Sequence, residues 1–299
     1  MILSKIGFNI GENIKTFASN PIKKCFKPVE NNLSPLKQDV VQISNETQKF
    51  IKKFAGEYPN TSSTKINGQS FTKYNGSQMG SNPAFWATND STGELFYIKM
   101  AGSSSKTAHL QEEVTATNLY KLAGLNAPDV EMCKLQDGSM AMKSKFTPGL
   151  SEIKNSKDVH EGFAADAWLA NWDSLLWGNT QVKDGHSFKI DNGGALRFRA
   201  QGAPKPNFGD RVNELTTLVD GRNWQSTSMY NNISHEDLVN SFKRVCNIKD
   251  NDIKNLVKDK DLAQTLIARK AYLSDVLQKI EENPKGNETL ISYFNKLKV

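Results

Sequence analysis

Two aspartates, a glutamate and a lysine occur in this chain in an order from which phosphate could be handled. Asp173 lies in Asn171-Trp172-Asp173-Ser174-Leu175-Leu176-Trp177-Gly178-Asn179, and Asp191 in Phe188-Lys189-Ile190-Asp191-Asn192-Gly193-Gly194. Upstream, Lys99 closes the run Leu95-Phe96-Tyr97-Ile98-Lys99-Met100, and Glu113 follows in a helix-like stretch. Moving a γ-phosphoryl group needs a cation on the phosphates, a carboxylate that fixes the cation, a group that orients the acceptor hydroxyl, and a fixed metal ion. Lys99 is expected to grip the phosphates and Glu113 to hold its ammonium. Asp173 is expected to accept or orient the acceptor proton, Asn179 to offer an amide oxygen to the metal, and Asp191 to be the principal metal carboxylate. Each residue has a plainer reading: a lysine at a strand edge is commonly a solvated charge, and Asp-Asn-Gly-Gly is turn chemistry in its own right. Their order along the chain favours the metal reading of Asp191.

The surrounding sequence supplies elements that would position them. Phe85-Trp86-Ala87-Thr88 and Leu95 to Lys99 flank a turn-rich pentapeptide and predict a hairpin, which puts Lys99 at a strand end. Leu110, Val114, Leu119, Leu122 and Ala123 predict a helix that stops at Gly124. On it Glu113 is followed by Ala116, Tyr120 and Ala123 on one apolar side, and Glu112 by Ala116, Leu119 and Ala123, so Glu113 leads only modestly. Hairpins are predicted around Asp137-Gly138 and Asp184-Gly185, the second delivering Asp191. Val159, Phe163, Ala167 and Ala170 predict the helix that leads to Asp173. Residues 1–38 read as a mobile polar leader, 39–148 as a β-rich part and 149–299 as a mostly helical part. A short helix is expected before Gly56, and residues 58–80 read as a loop opening into short strands. From Ser234, which begins a capping-box-like Ser-His-Glu-Asp, at least three helices follow.

Composition narrows the function classes. The chain has 299 residues, 37% hydrophobic and 23% charged, with a net charge of +6, enough for a large core and an attraction to anions such as nucleotides, acidic membranes or inositol phosphates. Its basic residues are not interleaved with aromatics, which gives nucleic-acid binding little support. Apolar runs are too short to span a bilayer, and the start lacks a secretory signal. Cys25, Cys133 and Cys246 are widely spaced and the four histidines show no ligand spacing, so neither disulfides nor a structural zinc site is expected. The expected location is the cytoplasm, or a host-cell cytosol reached as an effector without a Sec signal peptide. After Asp191, the basic segment with Arg197, Arg199 and Lys205 could receive an acidic or phosphorylated acceptor, and reads equally as a basic surface loop.

The layout resembles the protein-kinase-like superfamily, most nearly the bacterial HipA-like kinases and related atypical kinases, which include phosphatidylinositol kinases. The likeness runs over about residues 65–280. Tyr97-Ile98-Lys99-Met100 resembles the Val-Ala-Ile-Lys strand, Glu113 the αC glutamate, Asp173 with Asn179 the catalytic loop, and Asp191-Asn192-Gly193 the Asp-Phe-Gly metal motif. The resemblance implies a two-lobed α+β fold: a β-rich N-lobe with one αC-like helix and a mainly helical C-lobe. It also implies ATP and Mg²⁺ or Mn²⁺ between the lobes, and phosphorylation of a protein Ser/Thr hydroxyl, possessed by a host protein if the chain is an effector. Three features depart from the family pattern. Gly76 to Pro83 is not Gly-x-Gly-x-x-Gly, so Gly80, Ser81 and Asn82 are phosphate-contacting candidates by position, a plain Ser/Gly loop being an equal reading. Asn179 follows Asp173 by six residues where the family usually has five. Asn171-Trp172-Asp173 replaces His-Arg-Asp, and no Ala-Pro-Glu follows. Alternatives are a phosphoinositide or small-molecule kinase, an AMP-transferase, and a pseudokinase interaction module.

Overall fold

The computed structural model describes residues 43–299 apart from 77–81, 102–105 and 177, all within one compact unit, Val41–Val299. Three hairpins build its main sheet. Strands β1 (Thr61–Ile66) and β2 (Gln69–Tyr74) turn at Asn67-Gly68, β3 (Ala84–Asn89) pairs with β4 (Leu95–Met100), and β5 (Val130–Lys134) with β6 (Met140–Lys145). The order is β1-β2-β3-β4-β6-β5, all antiparallel. Because β6 inserts between β4 and β5, Lys99 stands on an interior strand, opposite Ala84 on one side and Met142 on the other. Of residues 58–80, expected as a loop opening into strands, Thr61–Ile66 and Gln69–Tyr74 are strand; Asn67-Gly68 is itself a two-residue hairpin signal.

Strand alternation sorts the side chains of the sheet into two faces. Phe71, Ala87, Phe96, Ile98, Cys133 and Ala141 form one buried cluster. Leu95, Tyr97 and Lys99 take the other face, where helix α1 (Asn45–Ala55) lies. Phe50 of α1 packs edge-on against Trp86 and tilted against Phe146, with ring centroids 4.9 and 4.4 Å apart, and Phe54 meets Trp86 at 5.8 Å.

Helix α2 (Thr107–Leu122) follows β4 and is buried nearly all round. Leu110 and Val114 pack with Met142 of the sheet. Ala116, Leu119 and Tyr120, further along, enter the core of the helical part. One helix thus belongs to both halves, and its two glutamates, Glu112 and Glu113, are both buried.

The second half begins with α3 (Phe163–Trp168) and the hairpin of β7 (Thr180–Lys183) and β8 (His186–Lys189). Helices α4 (Glu214–Thr217), α5 (Trp224–Tyr230), α6 (His235–Cys246), α7 (Asp250–Leu256), α8 (Lys260–Glu282) and α9 (Leu290–Leu297) complete it. Phe163, Trp168, Phe242, Leu266, Leu273 and Phe294 are completely buried in its core. Ser234 caps α6 by accepting from Asp237 N at 3.0 Å, while the Asp237 carboxylate turns to His160 at 3.4 Å, so only half of the expected capping box forms. The architecture is the expected α+β one: a strand-rich N-terminal half with an αC-like helix and a mainly helical C-terminal half. The leader and Cys25 lie outside the described residues. Among the described residues no helix is long and apolar enough to cross a membrane.

Candidate active site

Lys99 at the end of β4 and Glu113 on α2 are 14 residues apart in sequence and face each other. The Lys99 ammonium donates to Glu113 Oε1 at 2.9 Å and Oε2 at 2.8 Å, and to Asp191 Oδ1 at 2.8 Å. Glu112, one residue earlier, points elsewhere: its Oε2 accepts from Arg197 N at 2.9 Å and its Oε1 pairs with the Arg197 guanidinium. Burial works hardest against the charge on Lys99, but Glu113 and Asp191 overcome it and hold the ammonium above its ordinary range. One cation between two carboxylates leaves one negative charge in excess. Burial pushes the Glu113 carboxyl up to about 7 against the pull of Lys99. For Asp191 burial also acts upward, but Lys99 prevails and holds it below the usual carboxylate range. The Asp191 side chain is 58% exposed against 2% for Glu113, so Asp191 is the carboxylate that a metal ion could reach.

Asp191 leaves β8 in a left-handed conformation, φ 48° and ψ 64°, which aspartate tolerates better than most side chains. A stripe on α2 grips the turn that follows. His109 donates from Nε2 to Gly193 O at 2.7 Å, and Asn192 donates to Thr117 Oγ1 at 3.1 Å. Since a carbonyl only accepts, the proton of His109 is on Nε2. His109, Glu113 and Thr117 recur every four residues, so one helix face touches Gly193, Lys99 and Asn192 in turn. The close approach depends on two glycines. A Cβ on Gly193 would stand 3.0 Å from Glu113 Oε2, and one on Gly194 only 2.4 Å from Asp173 Oδ2.

That second contact brings Asp173 beside the Asp191 turn. Its carboxylate has no hydrogen-bond partner among the described residues, and burial raises it above its ordinary value, Lys205 opposing and Asp191 assisting. Asn179 closes the loop by donating from Nδ2 to Asp173 O at 3.1 Å, and its main-chain oxygen accepts from Ile190 N at 2.7 Å. The six-residue spacing is accommodated by this closure, which sets Asn179 beside the strand end that carries Asp191. Gly194→Ala is expected to displace Asp173 and slow turnover roughly 100-fold, the scale of a 1 Å misplacement, with the thermal midpoint little changed. An alanine variant as active as wild type would show that this approach is not needed.

Asp166 was not singled out by sequence, yet it organises the loop. Fully buried, it accepts from Tyr120 OH at 2.8 Å, Tyr230 OH at 2.6 Å, Lys189 Nζ at 2.9 Å and, closely, from Ser174 Oγ. Ser174 follows Asp173 and Lys189 precedes Asp191 by two residues, so one buried carboxylate holds the segments that carry both aspartates. The signal was present: Asp166 falls on the Phe163, Ala167, Ala170 stripe, where a charge requires buried partners.

Of the remaining candidates, Gly80 and Ser81 lie outside the described residues, and Asn82 stands just ahead of β3. Arg197 bonds Glu112 and, at 2.7 Å, Asp259, and so joins α2 to the start of α8. Arg199 is exposed. Lys205 folds back on Ala170 O and Gly194 O, each at 2.6 Å.

No family model matches the chain, and no curated protein matches its sequence. Among solved structures, the Helicobacter pylori proinflammatory kinase CtkA is similar, with a TM-score of 0.43 and 14% identity over 67% of this chain and 94% of that one. At that level the residues of the site, not the neighbour, carry any functional reading.

Proposed function

We propose that this chain is an atypical, HipA-like kinase that transfers the γ-phosphoryl group of ATP to a protein Ser/Thr hydroxyl. The observation that carries the reading is the Lys99 ammonium, clasped by Glu113 and in contact with Asp191 from the far side of the chain. A phosphate clamp needs such a cation, oriented but not fully enclosed. Asp191 and Asn179 would hold Mg²⁺ or Mn²⁺, which supplies charge compensation for the phosphates. The donors suit it: an exposed carboxylate and an amide oxygen, with the other positions left to phosphate and water. Among the described residues no group of three or more His, Cys, Asp or Glu could hold a metal ion unaided.

The chain's own residues account for the rest. Lys99 draws the α- and β-phosphates, with Glu113 fixing its ammonium. Asp173, whose carboxylate has no hydrogen bond to give up among the described residues, orients the acceptor hydroxyl and takes its proton as the oxygen–phosphorus bond forms and the β–γ bridging bond breaks, releasing ADP. Intact mass spectrometry after exposure to Mg-ATP or Mn-ATP, alone and with an acceptor protein, tests this. Added phosphate with wild type and none with Asp173→Ala is the expected result. Added adenylate would replace the reading with AMP transfer.

One observation favours an interaction module instead. Phe50 and Phe54 of α1 cover Trp86 on the face that also carries Tyr97 and Lys99, where a base would be expected to lie. A thermal-shift titration separates the two, since a chain that binds no nucleotide shows no rise with Mg-ATP.

A further inference from the structure

Residues 197–205 leave the Asp191 turn and come straight back to it. Arg199 N bonds Ala203 O at 2.7 Å, Gly202 N bonds Arg199 O at 2.7 Å, and Lys205 N bonds Arg197 O at 2.6 Å, closing a tight loop whose last residue is aimed inward. The Lys205 ammonium donates to Ala170 O, just before Asn171-Trp172-Asp173, and to Gly194 O, just after the metal turn. Those contacts use two of its three N–H groups. Asp173 packs against Gly194 on the same side, and Lys205 acts on it electrostatically.

We propose that Lys205 is the positioning cation on the acceptor side of the site, holding the Asp173 loop and the Asp191 turn in register and presenting its third N–H to the phosphoryl group in flight. Lys99 and Lys205 then divide the work: Lys99 is tied to Asp191 and Glu113 on the nucleotide side, and Lys205 adjoins Asp173 where the acceptor arrives. As the acceptor O–H proton passes to Asp173, the oxygen–phosphorus bond forms and the bond to the β–γ bridging oxygen breaks. The charge on the moving group would then face a fixed cation on that side. Burial lowers the Lys205 amine to about 8, a value at which it still carries its charge at neutral pH. The loop's role is thereby shifted from recognising an acidic substrate to completing the machinery.

This inference rests on the phosphotransfer reading above, and three variants separate their fates. Lys205→Gln retains two N–H donors for the two carbonyls but no charge, Lys205→Met retains neither, and Lys205→Arg retains both. The expected result is a kcat about 100-fold lower for Gln, the scale of losing one preorganised donor. KM for ATP and the thermal midpoint should stay near wild type, and Arg should recover most of the rate. A Gln variant with wild-type kcat, or an Arg variant no faster than Gln, overturns the charge role, whether or not Met folds. If wild type transfers nothing while Asp191→Asn and wild type bind Mg-ATP equally, it is the kinase reading that fails.

Discussion

Replacing Asp191 by alanine is expected to abolish metal-dependent transfer while leaving the chain folded. The loss should be roughly 10³-fold or more, since the residue would hold the ion that neutralises the phosphates. Stability should survive because the buried partner of Lys99 is elsewhere. After the substitution, both Glu113 oxygens remain 2.8 and 2.9 Å from the ammonium, so the penalty of about 3–5 kcal/mol for orphaning a buried charge is not incurred. The backbone adds a smaller effect. Asp191 is left-handed, with φ 48°, a conformation that costs alanine roughly 1–2 kcal/mol. Asp191→Asn avoids it, since asparagine tolerates that region and differs only in charge and one donor. Transfer from labelled ATP at saturating Mg²⁺ should fall as far in Asn as in Ala, with the Asn thermal midpoint close to wild type. Full activity in either variant would rule out the metal role, and unfolding of both would make the aspartate structural.

Why Lys99 and the two aspartates could be read from sequence, and other residues could not, follows from how local their signals are. Lys99 ends a β-prone run, and both aspartates sit at element ends marked by Asn and Gly, so a few neighbours placed each of them. Glu112 and Glu113 could not be separated this way because both helix faces are buried, one against the sheet and one against the segment after Asp191. The usual contrast between an apolar and a polar face was therefore missing. His109 is harder still, since its partner is a main-chain carbonyl 84 residues away, and no side-chain pattern announces a carbonyl. The ion pairs of Arg197 were hidden for the opposite reason: in sequence it belongs to a basic cluster, and only the packing of α2 and α8 supplies its two acids. Local periodicity records which face is apolar, but not which distant chain arrives to cover it.

Arg269 is the residue whose loss should damage the fold most, although it lies in α8, outside the cluster of Lys99, Glu113, Asp173 and Asp191. Its side chain is 0% exposed, yet all five guanidinium N–H groups are engaged. Nε bonds Trp168 O at 2.7 Å, Nη2 bonds Ala167 O at 2.7 Å and Glu214 Oε2 at 2.8 Å, and Nη1 bonds Gly209 O at 2.8 Å and Arg211 O at 2.9 Å. The plane also stacks over Phe208, 4.9 Å from the ring centroid. Two of these acceptors are carbonyls at the end of α3, the helix that leads into the Asp173 loop, so the arginine caps that helix and ties residues 208–214 to it. Arg269→Met would nearly keep the volume but remove the donor to the Trp168, Gly209 and Arg211 carbonyls and to the Glu214 carboxylate, while Ala167 O keeps Ala170 N as a donor at 3.0 Å. At about 1–3 kcal/mol for each buried group left unpaired, even partial relaxation leaves a loss of at least ~4 kcal/mol. A domain of this kind has only about 5–15 kcal/mol in total, and the midpoint should fall by roughly 10 °C or more. Lysine should not rescue it, because a single ammonium cannot serve five acceptors arranged in a plane. Arg199→Met, on an exposed arginine, is the control and should move the midpoint by no more than a degree or two. Thermal unfolding of the three variants decides the matter: an Arg269→Met protein that melts with Arg199→Met would show that this buried fork does not hold the helical half together.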